Sequence, residues 1–100
     1  MSRALTTQEK KSLLDIIKEK GEFKYQGNYI NQSNMKIGAL LESSSLDCQT
    51  NIVSYNGTCE FVPNPIDFPQ STVCGLFEGS AKMVGINEFE LHNPVTLKKR

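Results

Sequence analysis

Thr50-Asn51-Ile52-Val53-Ser54-Tyr55-Asn56-Gly57-Thr58-Cys59-Glu60-Phe61-Val62 is the stretch whose reading decides the fold. Two β-favouring runs meet at Asn56-Gly57, the strongest short-range signal for a two-residue hairpin. A type I′ turn needs positive φ at both central residues, which Asn and Gly tolerate best. That turn would set Tyr55 opposite Thr58, Ser54 opposite Cys59, Val53 opposite Glu60 and Ile52 opposite Phe61. One face then carries Ile52, Ser54, Cys59 and Phe61. The other carries Val53, Tyr55, Glu60 and Val62. A solvent-washed hairpin is apolar on one face only. Here both faces carry apolar residues, so the hairpin is either central and covered by the helix on one side, or its second face meets another chain, and Val53, Tyr55 and Val62 are the expected interaction residues of that second contact.

Around this hairpin the chain is read as one small domain: a helix over about 6–20, a β-rich part over about 22–92 and a basic tail over 95–100. Thr6-Thr7-Gln8-Glu9 has the form of a capping box. Leu13, Leu14, Ile16 and Ile17 make one apolar stripe, and Gly21 supplies the stop. Residues 22–30 change to an alternating period, with a tight turn or a bulge at Gly27-Asn28. Residues 35–41 read as a strand, and the Ser-rich residues 42–49 as a loop. The prolines of 63–69 carry the chain off the sheet or along its edge, with Ile66 and Phe68 expected to pin it down. Residues 71–91 read as a second hairpin turning at Gly79-Ser80. It pairs Leu76 with Met83, Val73 with Ile86 and Cys74 with Gly85, and a bulge near Gly85 or Asn87 corrects the apolar phase. Asn93-Pro94 ends the last strand. The fold class is therefore α+β, mainly β: an N-terminal helix packed on a five- to six-stranded antiparallel sheet, or a partial barrel built from hairpins.

Acidic and basic residues balance to a formal net charge of zero. A general nucleic-acid binder needs a basic field to release counterions, so nucleic acid is not the expected partner. No run is long enough to cross a bilayer and no secretory leader is apparent, so no membrane is expected. Cys48, Cys59 and Cys74 form an odd set without framework spacing, which points to a reducing, cytoplasmic compartment.

Catalytic constellations are absent from the pattern. His92 is the single histidine, and in the expected register it lies far along the ladder from Cys74. No knuckle or paired-histidine spacing suggests a metal, and no glycine-rich loop cradles a phosphate. The carboxylates are scattered. Glu88 and Glu90 share a strand face, as solvated residues commonly do. Tyr25, Tyr29 and Tyr55 lack the basic neighbours that a single-strand stacking platform needs.

These observations favour a non-catalytic protein-interaction or assembly module that works through a strand edge or sheet face. Small structural and inhibitor proteins of viruses and mobile elements belong to this class. A protein partner or self-association is expected, with no cofactor. A small-ligand-binding β domain is the alternative. A thiol-dependent enzyme is a third class with less in its support.

Overall fold

In the computed structural model, which describes residues 1–100, Thr6 and Glu9 cap helix α1 (Thr7–Lys20) reciprocally. Thr6 Oγ1 accepts from the Glu9 N–H at 3.2 Å, and the Glu9 carboxylate accepts from the Thr6 N–H at 2.9 Å. This satisfies two donors that a helix N-terminus otherwise leaves unpaired. Arg3, in the two-residue strand β1 (Ser2–Arg3), donates to both Glu9 carboxylate oxygens at 2.8 and 2.9 Å. The cap is thereby tied to the sheet. Leu13, Leu14 and Ile17 are buried in the core, as the stripe predicts.

Six further strands follow: β2 (Phe23–Tyr25), β3 (Asn28–Ile30), β4 (Met35–Asp47), β5 (Ile52–Phe61), β6 (Val73–Gly85) and β7 (Glu88–Lys99). The fold is α+β and mainly β, with one helix and one open sheet in the order β1-β4-β5-β6-β7-β2-β3. The sheet has seven strands rather than five or six, and it is not a closed barrel. It is also mixed, because β2 runs parallel to β7. The physical reason is the route of the chain. β2 is delivered by α1, not by a hairpin from β7, and only hairpins force antiparallel pairing.

The hairpin expected at Asn56-Gly57 does not form. Residues 52–61 are one uninterrupted strand, with Asn56 paired to Ser43 on one side and to Glu78 on the other. The same correction applies to Gly79-Ser80, which lies in the middle of β6 opposite Tyr55 and Ser54. Both glycines sit under aromatic rings from the neighbouring strand. A Cβ at Gly57 would lie 2.5 Å from Phe77 Cζ, and one at Gly79 would lie 2.6 Å from the Tyr55 hydroxyl. Gly75 stands in the same relation to Phe61, at 2.6 Å. In these strands glycine marks close approach, not chain reversal. The reversals fall elsewhere, at residues that adopt the left-handed region. Asn51 has φ 60° between β4 and β5, Asn87 has φ 56° between β6 and β7, and Gln26-Gly27 joins β2 to β3.

The true register places Val53, Tyr55, Gly57, Cys59 and Phe61 on the core face of β5, while Ile52, Ser54, Asn56, Thr58 and Glu60 face outward. Leu76 therefore pairs with Thr58 and Lys98, not with Met83, and Val73 pairs with Phe61, not with Ile86. The Ser-rich residues 43–45 belong to β4, matched by the equally polar outer residues of β5. β7 continues past Asn93-Pro94 to Lys99, and Val95 and Leu97 are buried, so residues 95–99 are strand and not a solvated tail. A register shift between Glu78 and Ser80 gives β7 extra residues at that point, and the proline falls in it, where no ladder donor is required.

Candidate interaction site

Two exposed large apolar side chains, Ile66 and Phe68, lie on the connection between β5 and β6. The Val62 N–H donates to the Asn34 carbonyl at 3.0 Å, which anchors the start of the connection. Asn64 then caps a single tight turn. Its side-chain oxygen accepts from the Asp67 N–H at 3.1 Å, its amide donates to the Asp67 carboxylate at 3.2 Å, and its carbonyl accepts from the Phe68 N–H at 2.9 Å. Pro65 follows the cap directly, where a missing N–H costs nothing and a fixed φ suits the turn. The Ser71 N–H closes the segment on the Phe68 carbonyl at 3.1 Å.

The polar side chains thus hold the turn from within and the apolar ones point away. Ile66 is 91% exposed and Phe68 61% exposed. This corrects the expectation that these two residues pin the loop to the sheet. Sequence reasoning noticed both and assigned them the opposite role. The signal that could have redirected it is Asn64-Pro65 followed by Asp67, which is the chemistry of a capped turn. The adjoining strand ends carry cations. Lys36 stands opposite Glu60 on β4, Lys98 pairs with Glu78 at 2.8 Å, and the Arg100 N–H donates to the Cys74 carbonyl.

Of the three residues expected at a second contact, Val53 and Tyr55 are buried within this chain, at 0% and 3% exposure, and Val62 is half-buried at the start of the loop. The structure does not bring them together on one surface. Val53 and Tyr55 face the core beside Leu46, Phe77 and Ala81. Their apolar character is accounted for by folding of the single chain.

The thiols do not assemble a nucleophile. Cys59 pairs with Gly75 while the adjacent Cys74 pairs with Glu60, so the two side chains leave opposite faces of the sheet. All three cysteines are free. Burial pushes the Cys59 thiol up to about 11. His92 pairs with Ser80, six residues along β6 from Cys74, a separation of roughly 20 Å at strand rise. Its Nδ1 lies 3.1 Å from Ser80 Oγ. This pair is exposed and has no carboxylate to orient the ring. No three His, Cys, Asp or Glu side chains converge as a metal site.

The outer sheet face around that pair forms an open trough of about 680 Å³. The register sets Ser45, Ser54, Ser80 and His92 in one row, with Ser43, Asn56, Glu78 and Thr96 in the next. No helix is long and apolar enough to cross a membrane. Comparison with family models, with curated proteins and with solved structures finds no match for the chain.

Proposed function

We propose that the protein is a non-catalytic interaction module of the assembly or inhibitor kind, and that it docks by inserting the Ile66–Phe68 tip into an apolar pocket of a protein partner. The observation that supports this reading is the exposure of both side chains on a turn fixed by Asn64 and Asp67. Exposed large apolar groups on a preorganised loop bind at low entropic cost. A bilayer is a poor target, because Asp67 lies between the two anchors and would enter the interface with them. Burying one such side chain is worth about 1.5–3 kcal/mol, so losing both anchors should weaken binding about a hundredfold or more. The exposed free thiols Cys48 and Cys74 suit a reducing, cytoplasmic setting.

The test is quantitative capture from a source-cell lysate on immobilised wild-type protein and on an Ile66→Ser, Phe68→Ser variant. The reading predicts a specific species retained by the wild type and lost from a variant that unfolds at the same denaturant concentration. Equal recovery on both would overturn it. The hydroxyl-rich trough favours a second reading, a binder of a small polar ligand. Thermal-shift measurement with a metabolite panel addresses it.

A further inference from the structure

We propose that the groove between α1 and the irregular part of β4 binds a free medium-chain fatty acid, with the carboxylate at Lys10 and Lys11 and the alkyl chain along Leu14, Leu40 and Leu41. This inference does not depend on the loop tip, which lines no part of the groove.

Three observations carry the proposal. The first is the groove itself. Ile37 pairs with Cys59 and Leu41 with Gly57, so residues 38–40 of β4 stand against Thr58 alone. The surplus chain leaves the ladder, and such a bulge re-aims side chains. No strand flanks β4 there, because β1 reaches only Leu46 and Asp47. Helix α1 lies alongside instead. Between helix and strand is a groove of about 540 Å³, within the ordinary range of small-molecule sites. Ala39, Leu40 and Leu41 are consecutive, yet all three line it. In a regular strand the middle one would point to the opposite face.

The second observation is the apolar floor. Leu14 and Leu41 lie at its base, at 4% and 6% exposure, and Leu40 forms an exposed wall. A floor sunk between two elements admits a single inserted chain and excludes the flat surface of a bilayer. From Lys10 to Lys18 the helix rises about 12 Å, which sets the length as that of a medium chain.

The third is charge. Lys10, Lys11 and Lys18 line the groove, with Asp15 as the one carboxylate. The ion pairs of the molecule are Arg3–Glu9 and Lys98–Glu78. The three lysines and Asp15 take part in neither, although Lys10 is half-buried. Ammonium groups donate hydrogen bonds and accept none. Such a lining suits an apolar body with one anionic, acceptor-only head. A peptide would bring backbone N–H groups that need acceptors, and among the lining side chains only Thr7 and Asp15 can accept. Lys10 is the lysine furthest in sequence from Asp15. It also lies towards the helix N-terminus, where the dipole favours negative charge. The head group is therefore placed at Lys10 and Lys11.

The experiment titrates the isotope-labelled full chain with decanoate, kept below the concentration at which it forms micelles, and follows backbone amide shifts. Decyltrimethylammonium, with the same chain and opposite charge, and acetate, with the same head and no chain, are the controls. The expected result is saturable shifts concentrated in residues 10–18 and 39–41, no saturable response to either control, and affinity weakened about tenfold in a Lys10→Glu, Lys11→Glu variant. A Lys20→Glu, Lys99→Glu variant changes the net charge equally at residues outside the groove and should keep the wild-type affinity. Leu40→Asp should weaken binding with the lysines intact. Shifts confined to other residues, equal binding of the cationic amphiphile, unchanged affinity in the Lys10, Lys11 variant, an equal loss in the Lys20, Lys99 variant or no binding at millimolar decanoate would each overturn the proposal. Tighter binding of an alternating aspartate–leucine peptide at these residues would make a protein segment the occupant and overturn it as well. So would binding to phosphatidylglycerol vesicles through the same residues, which would make the occupant a bilayer.

Discussion

The ring of Phe77 fills the space above Gly57, so closely that a Cβ at Gly57 would meet its Cζ at 2.5 Å and its Cε1 at 2.7 Å. The two residues are directly paired across β5 and β6, and both are buried. A ring so placed requires the residue beneath it to lack a side chain. Gly57→Ala should therefore cost about 1–3 kcal/mol in denaturant unfolding, the usual range for overpacking a well-filled core. Adding Phe77→Leu should make the alanine less costly than it is in the wild-type background. A double-mutant cycle measures this coupling directly. A glycine serving as a hairpin turn would show no coupling to Phe77.

Tyr55 tests a different feature of the same layer. Its ring is buried, and neither its hydroxyl nor the neighbouring Ser44 Oγ has a hydrogen-bond partner. Desolvation pushes its hydroxyl up to about 12. Removing an unsatisfied buried hydroxyl is neutral or stabilising. Tyr55→Phe should leave the unfolding midpoint unchanged or raised. A loss above about 1 kcal/mol would show that the hydroxyl makes a bond in solution. The neutral form is the one that the fold favours, so its contribution is intact below about pH 10 and is lost as pH rises towards 12. Absorbance titration should show one tyrosine ionising late.

Acid stability should depend on the helix cap. The hydrogen bonds from Arg3, reinforced by the Thr6 N–H, hold the Glu9 carboxyl down to about 2. A depressed carboxylate stabilises the fold above its unfolded value of 4.5, and that contribution disappears as pH falls towards 2. Glu9→Gln should lower stability at neutral pH by about 1–2 kcal/mol. The difference from wild type should shrink across that window. An unchanged gap at pH 2 would contradict this assignment.

The three thiols should separate by rate. Cys48 and Cys74 are exposed, whereas Cys59 is buried and its thiol is pushed up to about 11. Alkylation near pH 8 should modify two cysteines quickly and the third only as fast as the chain opens. Three fast thiols would contradict the placement of Cys59.

The helix was legible because its cap, stripe and stop are local signals, and each was found where the structure has it. The β class was legible from Ile52, Val53, Phe61 and their alternating neighbours. Strand boundaries were not. Asn56-Gly57 and Gly79-Ser80 carry turn chemistry, but what decides their conformation is a ring on the next strand, and no short-range pattern reports it. Asn51 and Asn87, which do turn the chain, lack a following glycine and gave a weaker signal. The parallel β2–β7 pair depends on where α1 delivers the chain, which is likewise non-local. The same limit applies to the site. Once Asn56-Gly57 is read as a turn, Val53, Tyr55 and Val62 fall on one face and invite a partner. In the uninterrupted strand, Val53 and Tyr55 are core residues, and the exposed apolar groups are those of the loop.

Ile66 and Ile86 are equally exposed, at 91% each, on opposite ends of a molecule 45 Å long. Single exposed apolar residues are ordinary on protein surfaces. Val84 is exposed two residues from Ile86, as Phe68 is from Ile66, but only Ile66 and Phe68 stand on a turn held by the Asn64 and Asp67 side chains. The most direct measurement is site-specific photo-crosslinking in the source cell, with a photoreactive phenylalanine at position 66 in one variant and at position 86 in another. The account predicts a discrete adduct of higher mass from position 66, absent from position 86. Adducts of equal yield from both positions, or from position 86 alone, would contradict it.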